Sequence, residues 1–501
     1  MSDLMRMTGM YSGMDTEAVI QSLVSAKAQK VTNLKNDQKK LEWTQNIWQD
    51  LNKKIYNLYS KTLSDMRFQG SYGKKKTKIS DPTKATVTAS GNAVNGVQTL
   101  KIENVAKAGY LTGAELQKDG KKAEWALSDK MENFGVTGTT FKVTVGEGDE
   151  AKETEIKIED DMTISQFVGK LQEAGVNASF DETNQRFFIS ATDTGTEKEF
   201  KLEADNANAL KSLGLDTDNG AKRIAAQNAK IVLNDAVFES STNNFSINGL
   251  TIDVAGVTDE NEELTITTST DTDGIYNMIK DFISEYNEII NEVYQKYNAD
   301  SARKYSMLTD EQKESMSDEK IEKWEDTIKG SLLRKDSTLQ SIMSSLTGVV
   351  NSAYEVNGKQ MWLFDFGIET LGYFEAEEGE RHALHIAGDA DDEAVSGKDD
   401  KLRAAIASDP DGTIDFFTSL CKNMYDTLGQ AMKGTEYSSV YKVYEDKRMK
   451  TEYDDYTKKI KEAEKKLSAY EDKWYNKFSA MEVALSKLQS NQNTITSMLG
   501  L

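Results

Sequence analysis

The sequence predicts a multidomain α+β protein. It has long terminal coiled-coil helices, a helical bundle domain, and two largely β head domains, one with an inserted helix, nested in the middle of the chain. Three observations predict this. The last fifty residues carry one apolar stripe, the stretch after Asp15 carries a weaker stripe, and between residues 84 and 267 the hydrophobic period drops from 3.6 to 2.

The C-terminal stripe is the strongest signal. Its positions are Met449, Tyr453, Tyr456, Ile460, Ala463, Leu467, Tyr470, Trp474, Phe478, Met481, Leu485, Leu488, Ile495 and Leu499. Alternating steps of four and three make a heptad seam, with Gln492 in the one polar slot. The repeated step of four at Tyr470-Trp474-Phe478 is a stutter, which unwinds a left-handed supercoil locally and predicts a bend or a change of partner. At 1.5 Å per residue the helix spans about 75 Å. A rod with such a stripe needs a partner helix.

The other end of the chain supplies one. Residues 1–14 have glycines and methionines but no period, and read as a flexible start. Asp15 suits an N-cap and Glu17 the first turn of a helix. Ile20, Lys27, Leu34, Leu41, Trp48, Ile55 and Thr62 recur every seven residues, with Leu23, Val31, Leu51 and Leu58 between them, so the helix is predicted to run to about Met66. Lys27, Gln38 and Gln45 interrupt this seam, and such a helix is expected to order on its partner.

Between the ends, residues 70–78 read as a Gly/Lys-rich connector, and 84–90 and 97–105 as strands. Residues 111–225 read as a distinct unit. It has strands at 140–145, 154–158, 176–180 and 186–190, and a helix over 163–174 capped by Thr163 and stopped by Gly175. Strands resume over 228–267, with a hairpin signal at Ile247-Asn248-Gly249-Leu250. Helical period returns at Gly274 (Ile275, Ile279, Phe282, Tyr286, Ile289, Val293, Tyr297). It continues at 318–330, 335–353, 398–407 and 412–434, and again from about Ser438.

The predicted order is an N-terminal leg segment (1–42), the first part of the helical domain with its connector (43–78), and the first part of a β domain (79–110). An inserted β/α domain (111–225), the second part of the β domain (226–270), the helical domain (271–445) and a C-terminal coiled-coil leg (446–501) follow. Matching ends and a nested middle predict a hairpin-shaped chain with its terminal helices side by side.

Composition excludes several classes. A net charge of −22 and a pI near 4.8 repel nucleic acid and anionic membranes. Hydrophobic residues are 38% and mean hydropathy is −0.61, which suits an elongated, segmented protein. Cys421 is the single cysteine, so no intramolecular disulfide forms. The two prolines, Pro82 and Pro410, fit element boundaries. No secretory signal is visible at the start and no apolar run reaches 18 residues, which alone would suggest the cytoplasm.

Candidate chemistry is sparse. His382 and His385 are spaced to share a helix face around a metal, but no cysteine cluster accompanies them, and a loop or strand edge is the favoured reading. Asp409-Pro410-Asp411-Gly412 lacks the later oxygen ligands of a calcium loop and reads as a helix cap. Gly146-Glu147-Gly148 has no third glycine and no following helix, so it is no phosphate cradle. Cys421 lies on an apolar helical stretch and reads as a buried thiol. This predicts a structural or interaction role, with no enzyme activity and no cofactor.

The N-terminal Gly9-Met10-Tyr11-Ser12-Gly13-Met14-Asp15-Thr16-Glu17, leading into a long helix, resembles the opening of the flagellar hook-associated protein 2 family, the flagellar filament caps. Val97-Gln98-Thr99-Leu100-Lys101-Ile102-Glu103-Asn104-Val105-Ala106-Lys107-Ala108 resembles the family's first β segment, and 163–190 its flagellin-type inserted repeat. Asp273-Gly274-Ile275, Asp336-Ser337-Thr338-Leu339, Phe366-Gly367-Ile368-Glu369-Thr370 and Phe478-Ser479-Ala480-Met481-Glu482, with the ending Met498-Leu499-Gly500, match in order. Trp43, Trp48 and the acidic 375–401 stretch depart from it.

The resemblance implies a non-enzymatic protein exported through the flagellar channel without a cleaved signal peptide. It implies a closed ring, taken as a pentamer, at the filament tip, with β domains as a plate and terminal helices as legs that reach flagellin. The implied partners are flagellin, hook-filament junction proteins and an export chaperone, with host mucin as a further one. Leg pairing and docking would fall to Ile20, Leu23, Leu34, Leu41, Ile460, Leu467, Trp474, Phe478, Leu485 and Leu488. The alternatives are a flagellin-like or hook-filament junction subunit, and a secreted adhesin binding mucin or host glycans.

Overall fold

Alternating sequence builds the strand-rich unit, Gly73–Asp271. In a computed structural model, which describes residues 12–148, 151–372, 374–377 and 379–499, its main sheet has five antiparallel strands. Their spatial order is Lys75–Ile79, Leu264–Thr270, Gly96–Asn104, Ala229–Leu233 and Ala236–Ser240. A three-stranded sheet (Asn244–Ile247, Leu250–Val254, Ala85–Ala89) shares its core, where Leu100, Ile102, Ile231, Ile252 and Ile266 are fully buried. The predicted hairpin turns at Asn248 and Gly249, both at positive φ (45° and 81°), as a tight two-residue turn requires.

The first strand is a correction. All of Lys75–Ile79 but its last residue lies in the stretch read as a connector, yet it pairs along its length with Leu264–Thr270. Its three lysines mask the alternation, because it is an edge strand of the sheet and its half-buried positions, Lys75, Thr77 and Ile79, include only one strongly apolar residue.

A second core lies within the same unit, between Leu111 and Ala221. The helix Ile164–Glu173 carries a full capping box from Thr163 and Gln166 and buries Ile164, Phe167, Val168 and Leu171. Phe167 packs against Phe141 at 5.1 Å and edge-on against Phe187 at 6.1 Å. Sheets of four and three strands cover it. The short strands Tyr110–Thr112 and Lys222–Ile224, unforeseen in the sequence, pair with each other where the chain enters and leaves this core.

The helical unit comprises the chain before Gly73 and after Asp271. The N-helix, Thr16–Asn57, continues through a π-helical segment, Leu58–Leu63, and a last turn, Ser64–Met66. Thr272–Asn298 buries the predicted stripe Ile275, Ile279, Phe282, Tyr286, Ile289 and Val293 against Leu339, Ile342 and Leu346 of Ser337–Val350. Pro410–Ala431 adds Phe416, Phe417, Leu420 and Met424, with Pro410 in its first turn and Asp409 accepting from the Gly412 N–H at 3.0 Å.

The C-helix runs Asp446–Leu499. Residues 438–445, read as helical, are instead a turn. Asn52 inserts between the Tyr441 carbonyl (3.1 Å) and the Val443 N–H (2.9 Å), and Tyr441 sits at φ 65°. Those bonds outcompete local helix propensity.

Cys421 is fully buried, and burial pushes its thiol up to about 12. His382 and His385 do not share a helix. His385 lies in a two-residue strand with Nδ1 at 2.6 Å from Asp392, and His382 packs edge-on to Tyr294. Among the described residues no group of three metal-ligating side chains converges, and no helix is long and apolar enough to cross a membrane.

Candidate functional site on the paired terminal helices

The two terminal helices pack antiparallel. Asp15 caps the N-helix by accepting from the Ala18 N–H at 3.0 Å. As the N-helix advances, its contacts walk back down the C-helix. Ser12 bonds Glu482, Glu17 accepts from the Tyr475 hydroxyl at 2.7 Å, and the Lys27 ammonium lies 4.9 Å from the Tyr470 ring centre. Lys35 pairs with Glu464 at 2.7 Å, Gln38 donates to Thr457 at 2.7 Å, and Trp48 stacks on Tyr444 at 5.5 Å and 10°. The register is continuous over the whole pair.

Two of the three polar residues that break the N-helix stripe, Lys27 and Gln38, are therefore contacts of this pair. Lys27 places its ammonium over an aromatic face. Gln38 also reaches the Tyr453 carbonyl at 3.3 Å.

On the C-helix the stripe faces its partner as its spacing predicts. Ile460 is buried, and Leu467, Trp474, Phe478 and Leu485 are half-buried. At the stutter the helix runs on without interruption, so no break marks that position. Tyr470, Trp474 and Phe478 form a ladder of rings 6.2 Å apart, and Glu471 and Tyr475 turn partly inward beside them. The extra residue widens the covered face, as a local drift of the stripe should.

The N-helix departs from its predicted seam. Ile20 is buried, and Leu34 and Leu41 are half-buried. Leu23 is 40% exposed, and the seam position belongs to Val24. The buried series Thr16, Ile20, Val24, Val31 steps by four, four and seven, so the reading at three-residue spacing chose the wrong neighbour. Burying each such aliphatic side chain contributes about 1.5–3 kcal/mol.

Past Leu485 the stripe opens to solvent. Leu488 and Ile495 are 64% and 57% exposed. The motif residues Gly9, Met10, Tyr11 and Gly500, and most of the predicted flexible start, lie outside the described residues.

Two family models match the chain: the flagellar hook-associated protein 2 N-terminus over residues 12–109 and its C-terminus over residues 226–490. The chain belongs to the flagellar hook-associated protein 2 family. That family is the flagellar filament cap. The N-helix and the C-helix as far as residue 490 fall within the matched spans, and the segment between the spans contains the second core of the strand-rich unit. The Escherichia coli K12 flagellar hook-associated protein 2 is 24% identical over 499 residues, 97% of this chain and 96% of its own length. Its counterpart in Halalkalibacterium halodurans is 25% identical over 444 residues, 81% of this chain and 78% of that protein. The crystal structure of the D1-D2-D3 domains of the Escherichia coli flagellar cap protein matches 82% of this chain and 99% of that one. Its TM-score is 0.53 at 19% identity, a likeness of fold.

Proposed function

We propose that this protein caps the distal tip of the flagellar filament, outside the cell, retaining exported flagellin so that it folds and joins the filament. It does so as a closed ring, taken as a pentamer, and without catalysing a reaction. Hook-filament junction proteins and an export chaperone are its further partners, and host mucin is a ligand of the strand-rich unit.

The observation that carries this reading is the terminal helix pair. Its stripe is covered from Tyr453 to Leu485 and then continues, exposed, through Leu488 and Ile495. An apolar row on a helix that no neighbour covers is a docking face. In this reading Ile20, Leu34, Leu41, Ile460, Leu467, Trp474 and Phe478 hold the pair together. Leu485 stands at the boundary, and Leu23 and Leu488 face flagellin.

Complementation of a cap-less strain tests it. The wild-type chain should restore filament growth, and Leu488→Asp should abolish it while the purified variant keeps its helicity and denaturation midpoint. Full growth with Leu488→Asp would remove the exposed stripe from the mechanism. No growth with the wild-type chain in its own host would remove the capping role.

A further inference from the structure

Charge is unevenly distributed along this chain. The N-helix has seven lysines to four acids, and the C-helix eleven Lys/Arg to nine acids. The two helices together carry +5, and the rest of a chain of net −22 carries −27. The excess gathers where a groove of about 230 Å³ opens between the helices. Lys27, Lys30, Lys459 and Lys466 surround an apolar floor that includes Leu34 and Leu467, and Glu462 is the one acid lining it. An apolar floor ringed by ammonium groups suits an acidic segment that carries an aromatic or aliphatic anchor.

The same chain carries such a segment. Phe374-Glu375-Ala376-Glu377 is followed by Glu378 and Glu380, with no lysine or arginine before Arg381. Phe374 is 97% exposed, and Glu375 and Glu377 are exposed beside it.

It cannot reach the groove of its own chain. Gly379 lies so close to Gln295 that a Cβ there would come within 2.7 Å of the amide nitrogen. Glu292, one turn earlier on that helix, is ion-paired to Lys54 at 2.8 Å. From Lys54 to Leu34 the N-helix runs a further ~30 Å. The segment is also shortened by turns, with the Glu375 N–H donating to Gly372 at 2.9 Å and the Glu380 N–H to Glu377 at 3.0 Å.

We propose that the lysine-ringed groove between the terminal helices receives the acidic segment Phe374-Glu375-Ala376-Glu377 of a second copy of this chain. The two surfaces differ, so the contact is heterologous, and repetition through a closing rotation makes a ring. This deepens the capping reading and rests on it, because it supplies the contact between neighbours in the cap.

Charge reversal on the full-length protein tests it, read by analytical ultracentrifugation over a concentration series. Lys30→Glu with Lys459→Glu, and separately Glu375→Lys with Glu377→Lys, change only exposed side chains. Each pair should raise the concentration for half-assembly tenfold or more, and all four together should restore it to within about threefold of wild type. The proposal is overturned if the 375/377 pair leaves assembly unchanged, if the four-fold swap fails to restore it, or if the wild type stays monomeric throughout. A wild type that rescues the cap-less strain in any of those cases leaves the capping reading standing. A wild type that assembles with the predicted swap behaviour but rescues nothing removes the capping reading alone.

Discussion

The two ends of the helix pair are built differently. Near Trp48 the N-helix is part of the bundle core. Trp48, Leu51 and Ile55 are at most 1% exposed, Trp48 stacks on Tyr444, and Asn52 makes two hydrogen bonds to the turn before the C-helix. Lys54 is held between Glu288 and Glu292, whose hydrogen bonds raise its ammonium to about 12. Toward Thr16 the same helix packs on the C-helix, among the described residues, through a single file of buried residues and half-exposed polar contacts. One helix thus combines a fixed base with an outer part that two-helix packing alone must hold. Outer segments of this kind open at low free energy, whereas core segments open only with the whole unit.

The largest break in this contrast should come from Trp48→Ala, at about 3–5 kcal/mol for a buried aromatic. Labelling of the buried Cys421 thiol at constant pH reads it. The native protein should resist a thiol reagent, and the variant should react a hundredfold faster or more. Ile20→Ala should cost about 2 kcal/mol, at the low end for such a change because the outer pair can collapse around the gap. Hydrogen exchange should show that loss confined to residues 16–31 and their C-helix partners, with Cys421 labelling unchanged.

Acid should act on the base. Burial lowers the His382 pKa, so the folded unit takes up that proton less readily than the unfolded chain. Its stabilising contribution is complete above about 6.5, the ordinary histidine value, and is lost as pH falls through the lower folded value. The denaturation midpoint of the helical unit should drop across that window, and His382→Phe should flatten the slope. The smallest effect belongs to Lys35→Ala. It removes a half-exposed ion pair to Glu464 and should cost under about 1 kcal/mol by denaturation, less in high salt.

The same contrast explains what was legible in the sequence. The C-helix stripe was readable from Tyr453 to Leu485 because over that length one face meets one partner, with the stutter drawing in only Glu471 and Tyr475 beside it. The N-helix was not, because its seam changes environment along its length. Val24 replaces Leu23, and Lys27 and Gln38 look like interruptions until Tyr470 and Tyr453 appear opposite them. The strand at Lys75–Ile79 and the turn at 438–445 were hidden for a related reason: pairing with Leu264–Thr270 and the Asn52 amide decide their conformations from far along the chain. The candidate groove needed the structure too, since Lys30 and Lys459 become neighbours only through the antiparallel register.

The cap itself is tested most directly by electron microscopy of the purified full-length protein mixed with filament fragments. Small closed rings are expected, free and seated on one end of each fragment, with no growth of the protein into filaments of its own. Long self-polymers, or particles that never occupy a filament end, would contradict it.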